Sequence, residues 1–176
     1  MRVGIAGFGK EIPFSADLRK AVKREFEAEV DLLRALPVDG NALDGKRGQY
    51  DAEQLLRGIE ARWLSHWEEL GKCVKVLGVS EADLFVPGMN YVFGLASLGG
   101  RSGVVSTARL RTEFYGERKS EARLKERLVK EVLHEFGHLF GLKHCEDGKC
   151  VMSFSNSVAE VDEKEGRLCA KCRERI

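Results

Sequence analysis

Little in this chain is extreme, and its shortages are informative. An excess of one charge is missing: 29 Lys and Arg stand against 28 Asp and Glu, a formal net charge of +1. No basic field drives counterion release, so nucleic acid is not expected as a partner. Long apolar runs are missing as well. None approaches the roughly 20 residues a membrane helix needs, and no membrane association is expected. The opening Met1-Arg2-Val3-Gly4-Ile5-Ala6 is too brief for a signal-peptide core and reads directly as a strand, so a cytoplasmic chain without a pro-segment is expected. Internal repeats and low-complexity segments are absent too, and 43% apolar with 32% charged residues excludes wholesale disorder and coiled-coil or collagen-like architecture. What is there suits a single domain over residues 1–176, expected as a monomer.

A pass along the chain predicts mixed α and β structure. Met1 to Ala6 reads as a first strand. Ser15 offers a helix N-cap, followed by Leu18, Val22 and Phe26 on one face. Val30, Leu32 and Leu36 return to a period of two, a second strand, and residues 39–50 read as a loop. From Asp51 the three-or-four spacing of Leu56, Ile59, Trp63, Trp67, Leu70, Val74 and Leu77 predicts one long helix ended by Gly78, with both tryptophans in the core. Cys73 within it reads as a buried spectator. Ala82 to Val86, Tyr91 to Leu95 and Gly103 to Leu110 are strand candidates, separated by Pro87-Gly88 and Gly99-Gly100. The alternating charges of Glu117 to Glu131 read as a solvated face.

Histidine is scarce in this chain. There are four, and three lie within eleven positions: His134, His138 and His144. On a helix, Leu128, Val129, Val132, Leu133, Phe136, Leu139 and Phe140 gather within an arc of roughly 140°. His134 and His138 fall opposite that stripe and one turn apart, where two nitrogens can meet one ion. Gly141 is placed to end the helix and turn the chain, so that His144 approaches the same ion. Three neutral imidazoles leave a fourth tetrahedral position for water, the open arrangement of a catalytic zinc. Glu135 adjoins that face and can take a proton from the water and pass it to a leaving amine. The competing reading is a closed zinc with Cys145 as fourth ligand, but its adjacency to His144 points the thiol elsewhere.

Four of the five cysteines, Cys145, Cys150, Cys169 and Cys172, follow directly. Without a secretory signal, such clustering reads as metal ligation before disulfides. The pattern His134-Glu135-x-x-His138-x-x-Gly141-x-x-His144 resembles the metzincin metallopeptidases. Cys145, Cys150, Met152, Cys169 and Cys172, at their spacing, are similar to the archaemetzincins within that group. The resemblance implies a metzincin-like α/β (α+β) zincin fold, a mixed twisted sheet of about five strands with an edge strand over the active-site helix. It implies residues 1–141 as an upper part and 142–176 as a small lower part. It also implies two zinc ions, one catalytic on the three histidines with Glu135 as general base, one structural on the four cysteines. Met152 matches the methionine of a tight turn beneath the catalytic ion.

Four thiolates leave zinc no open position, so such a site would pin Gly166 to Ile176 near the end of the active-site helix. A peptide or unfolded protein segment is the expected substrate, added in extended form to the edge strand. The resemblance assigns that edge to part of Tyr91 to Arg109, chiefly Gly99 to Ser106. Ser106, Thr107, Arg109 and Arg111 could bind substrate there, but read better as ordinary strand and loop residues. A zinc-binding module without activity and a hydrolase of another amide or ester stand as alternatives to a peptidase; the intact Glu135 argues against the first.

Overall fold

The structure, a computed structural model, describes residues 1–64 and 75–176, the side chains of residues 63 and 64 apart. The expectations for Trp67, Leu70, Cys73, Val74 and the Trp63 side chain lie outside the described residues.

Strand β1 (Arg2–Gly7) leads over helix α1 (Ser15–Phe26) to β2 (Glu29–Leu32), which pairs with it in parallel. A short hairpin, β3 (Leu43–Asp44) and β4 (Gln49–Asp51), precedes α2 (Ala52–Leu64). Then come β5 (Lys75–Ser80), β6 (Leu84–Phe85), β7 (Gly94–Ala96) and β8 (Ser102–Ser106). The main sheet has five strands in the order β2-β1-β5-β8-β7, parallel except for β7, and β3-β4-β6 form a small second sheet. The long helix α3 (Glu121–Leu139) follows, and short helices α4 (Val158–Glu163) and α5 (Ala170–Arg173) complete the chain.

Both faces of the sheet are covered. Val3, Ile5, Leu77, Val79 and Val105 pack on one side with α1 and α3, while Ala6, Val76 and Val104 pack on the other with Leu55, Leu56 and Ile59 of α2. Burial on both faces explains why the central strand β5 is misread as helix. Val76-Leu77-Gly78-Val79 is a continuous apolar run with no period of two, and Leu77 happens to extend the helical spacing of the residues before it. The helix therefore does not continue to Leu77. Gly78 is no helix terminator either: a Cβ there would lie 2.3 Å from the Phe8 ring, so it makes room for a side chain across the sheet.

Smaller corrections have similar causes. Strand β2 stops at Leu32, and Leu36 meets Phe8 only in an isolated bridge. Ser15 is the first helical residue rather than the cap, because Phe14 itself takes the left-handed backbone (φ 53°) before α1. The edge strand is β7, not Gly99 to Ser106. Strand β8 is buried along its whole length and hydrogen-bonded to β5 on one side and β7 on the other, as its Val104-Val105 pair demands.

The predicted solvated face over Glu117 to Glu131 holds at its start, where Glu117, Arg118, Lys119, Glu121, Arg123 and Glu126 are exposed, but not at its end. Arg127, Lys130 and Glu131 are each about 3% exposed, because α4 and the segment after it lie across them. Arg127 makes a bidentate pair with Asp162 (both 2.7 Å) and donates to the Leu110 carbonyl. The Arg127 guanidinium holds the Asp162 carboxyl below its usual range. Alternating charge on a helix marks a partner face here, since each cation finds an acceptor on the covering segment.

Candidate metal centre and cleft

Helix α3 starts on a Ser120 cap, whose hydroxyl accepts from the Arg123 amide, and ends in a Schellman turn. Gly141 takes a left-handed backbone (φ 90°), its amide donating to the His138 carbonyl while that of Leu142 reaches Gly137. The reversal brings His144 to the two helix histidines, with ring centroids 5.3 Å from His134 and 4.9 Å from His138. Ring nitrogens of the three lie within 4.8 Å of one another.

The tautomers follow from the backbone. His134 Nδ1 lies 2.8 Å from the Val151 carbonyl and His138 Nδ1 lies 2.8 Å from the Leu142 carbonyl. A carbonyl only accepts, so each Nδ1 carries the proton. Burial lowers the pKa of both rings, that of His134 strongly, and keeps them neutral. Both Nε2 atoms are then bare, yet they face each other 3.1 Å apart. Two lone pairs at that distance call for a shared cation, and neutral imidazoles are the donors a divalent ion such as zinc takes.

Glu135 is 4% exposed, and its Oε2 has no hydrogen-bond partner among the described residues. Burial, with the nearby Glu131, pushes its carboxyl well above the usual range. Edge strand β7 presses on it: a Cβ on Gly94 would lie 2.6 Å from Glu135 Oε1 and 2.8 Å from the Val104 carbonyl, so only glycine permits the approach. Between β7 with its preceding loop and the segment around Phe154 lies an open cleft of about 870 Å³, lined by His134, Glu135, His138 and His144. The Tyr91 hydroxyl donates across it to the Asn156 carbonyl.

The second cluster holds Cys145, Cys150, Cys169 and Cys172, with all four sulfurs within 4.8 Å of one another and Cys145 Sγ 3.8 Å from Cys169 Sγ. All four are free thiols. Burial raises the pKa of Cys150 and Cys172, whereas the Cys172 backbone amide lowers that of Cys169. Four sulfurs gathered this closely, with no disulfide among them, are the donor set of a closed tetrahedral site, which would hold them as thiolates.

One short segment touches both clusters. Cys150 supplies a sulfur, Val151 accepts from His134, and the Met152 carbonyl accepts from the Cys145 amide. Met152 is fully buried beneath α3. A Cβ on Gly137 would lie 2.2 Å from Met152 Sδ, so the glycine is the slot for this side chain. Gly137→Ala gains about 1 kcal/mol of helix preference but overpacks the slot at about 1–3 kcal/mol. A melting temperature lower by about 2–4 °C is expected in thermal unfolding.

The C-terminal segment is anchored further than predicted. Glu25 of α1, 2% exposed, accepts from the Leu168 amide and from Arg173, which ties residues 168–173 to the first helix. Ser106, Thr107, Arg109 and Arg111 do not line the cleft. Ser106 donates to the Ala82 carbonyl, Thr107 is fully buried, Arg109 is bidentate to Asp83 and Arg111 pairs with Glu81. Sequence reasoning missed the cross-cleft bond of Tyr91, the slot at Gly137, and a buried pair, Lys164 with Glu131, at the cleft floor. Only Glu131 carried a signal, its position one turn before Glu135.

Residues 20–176 match Peptidase family M54. The chain is 42% identical over 167 residues to the archaemetzincin of Haloquadratum walsbyi, covering 89% of this chain and 92% of that one. Among solved structures it is similar to archaemetzincin from Methanopyrus kandleri (TM-score 0.84, 36% identity, 99% of this chain and 92% of that chain). It is similar also to a zinc-dependent peptidase from Methanocorpusculum labreanum (TM-score 0.85, 28% identity, 99% of each chain).

Proposed function

This chain belongs to Peptidase family M54 and is a zinc metallopeptidase, and from that premise we propose that His134, His138 and His144 hold its catalytic zinc while Glu135 serves as general base. When bound, zinc supplies Lewis acidity, polarising a carbonyl and bringing the pKa of a coordinated water to about 7. The backbone carbonyls of Val151 and Leu142 hold two imidazoles in the metal-ready tautomer. Glu135, whose free oxygen is buried at the cleft, takes the proton of the attacking water and returns it to the departing amine. The substrate is an extended peptide or unfolded protein segment lying along the β7 edge. The observation that carries this reading is the pair of bare Nε2 atoms 3.1 Å apart, in a cleft that Glu135, with its unpartnered buried oxygen, also lines.

We assign a second, structural zinc to Cys145, Cys150, Cys169 and Cys172, with Met152 and Gly141 as structural support. We read residues 1–176 as a single metallopeptidase domain with its upper part at 1–141 and its lower part at 142–176. One apolar core running from Val3 to Cys172 supports that reading. No helix among the described residues is long and apolar enough to cross a membrane. A cytoplasmic monomer without nucleic-acid partners completes the proposal, supported by the balanced charge and by cysteines gathered as a metal-ligand set rather than paired in disulfides.

Elemental analysis of the purified protein is expected to give two zinc ions per chain. The loaded protein is expected to cleave members of a diverse peptide library, to stop when a chelator removes the catalytic ion, and to resume on adding zinc. Cleavage of no peptide by the doubly loaded protein would overturn the proposal.

A further inference from the structure

The cleft floor holds charges the hydrolytic step does not use. Lys164, just after α4, sends its ammonium to Glu131 Oε1 at 3.0 Å and to the Ser153 carbonyl at 3.2 Å. The two side chains are 1% and 4% exposed, and both residues line the cleft together with Glu135 and the three histidines. An ammonium has three N–H donors. Two are engaged, and no third acceptor stands among the described residues. A buried charged donor without a partner is costly, and apolar side chains of similar volume fill such space without loss of stability.

Building on the reading of Glu135 and the histidines as the reaction centre, we infer that Lys164, held by Glu131, is a specificity-determining residue: its third N–H donates to an oxygen acceptor on a substrate side chain flanking the scissile bond. Glu131 already neutralises the ammonium and Glu135 adds a second acidic group. A neutral amide, Gln or Asn, therefore fits better than a carboxylate. An aliphatic side chain of equal size leaves the donor unpaired, and a site built to hydrogen-bond its substrate penalises that loss.

The test uses zinc-loaded protein and peptides carrying Gln, Glu or Leu at each of the two positions flanking the cleaved bond. At one position the wild type is expected to favour Gln over Leu about tenfold in kcat/KM, the range of a hydrogen bond to a charged group. In Lys164→Met that ratio falls to within about twofold of unity while the Leu peptide is still cleaved. Should the unpaired Glu131 unfold that variant, Lys164→Met with Glu131→Leu removes the whole pair and carries the same expectation. Calorimetric affinities of Glu135→Gln for the same peptides are expected to show the same ratio without turnover. A Glu arm that exceeds Gln and collapses in Lys164→Met would keep the subsite and assign it to carboxylates. A Gln preference that survives loss of Lys164, or a wild type with no preference for either oxygen-bearing arm, would overturn the inference. Failure of the peptidase reading shows separately, as no cleavage of any arm by the loaded wild type, and would take this inference with it.

Discussion

Glu135→Gln is expected to lower kcat/KM by about 10²–10⁴-fold, the usual contribution of a positioned acid–base group, while zinc content stays unchanged. The amide is isosteric with the carboxylate, so it still fits beneath Gly94, where a single Cβ would lie 2.6 Å from Glu135 Oε1. What it cannot do is accept a proton. Its buried Oε2 has no partner among the described residues, so the exchange breaks no hydrogen bond at that atom. Elemental analysis alongside peptide kinetics separates this from metal loss, and Glu135→Ala is expected to behave alike. Activity within about threefold of wild type, zinc being present, would show that another group moves the proton.

The second large effect concerns the cysteine cluster. Cys172→Ser is expected to reduce zinc from two ions to one per chain and to destabilise the lower part of the molecule severely. Apparent binding free energies of structural zinc are about 10–16 kcal/mol, as large as the whole net stability of a typical domain, about 5–15 kcal/mol. Cys150 and Cys172 belong to the main apolar core with Leu168 and Met152, so losing the ion also loosens packing. The damage reaches the histidines through Val151, whose carbonyl accepts from His134 and whose amide donates to the Arg167 carbonyl. A loss of about 10–100-fold in activity follows, as for other changes to the groups that orient metal ligands. Thermal unfolding, zinc stoichiometry and hydrogen exchange over residues 145–172 measure the outcome. Retention of both melting temperature and activity would show that the two clusters are independent.

The candidate site was far more legible in the sequence than the sheet that supports it. Ligand spacing is a local property: four residues stack His134 and His138 on one helix face, and Gly141 reverses the chain for His144 within one turn. The structure brings these three together, and the four cysteines likewise, although Cys169 and Cys172 lie nineteen or more residues beyond Cys150. Strands buried on both faces carry no such period. Thus β5 merged with the preceding helix, and the edge passed to β8 when hydrogen bonding leaves it to the three-residue β7. Burial of charge was equally invisible. Arg127 and Lys130 read as solvated until Asp162 and the residues around it, more than thirty positions later, cover them.

The run Cys150-Val151-Met152 assigns a separate duty to each of three neighbouring residues: a sulfur for one cluster, a carbonyl for His134 of the other, and the plug in the Gly137 slot. Such a run has a fixed length. Conservative exchanges can be absorbed one at a time, but inserting or deleting one residue shifts every duty onto the wrong side chain. Engineering that grafts loops or tags onto this scaffold therefore has no foothold here.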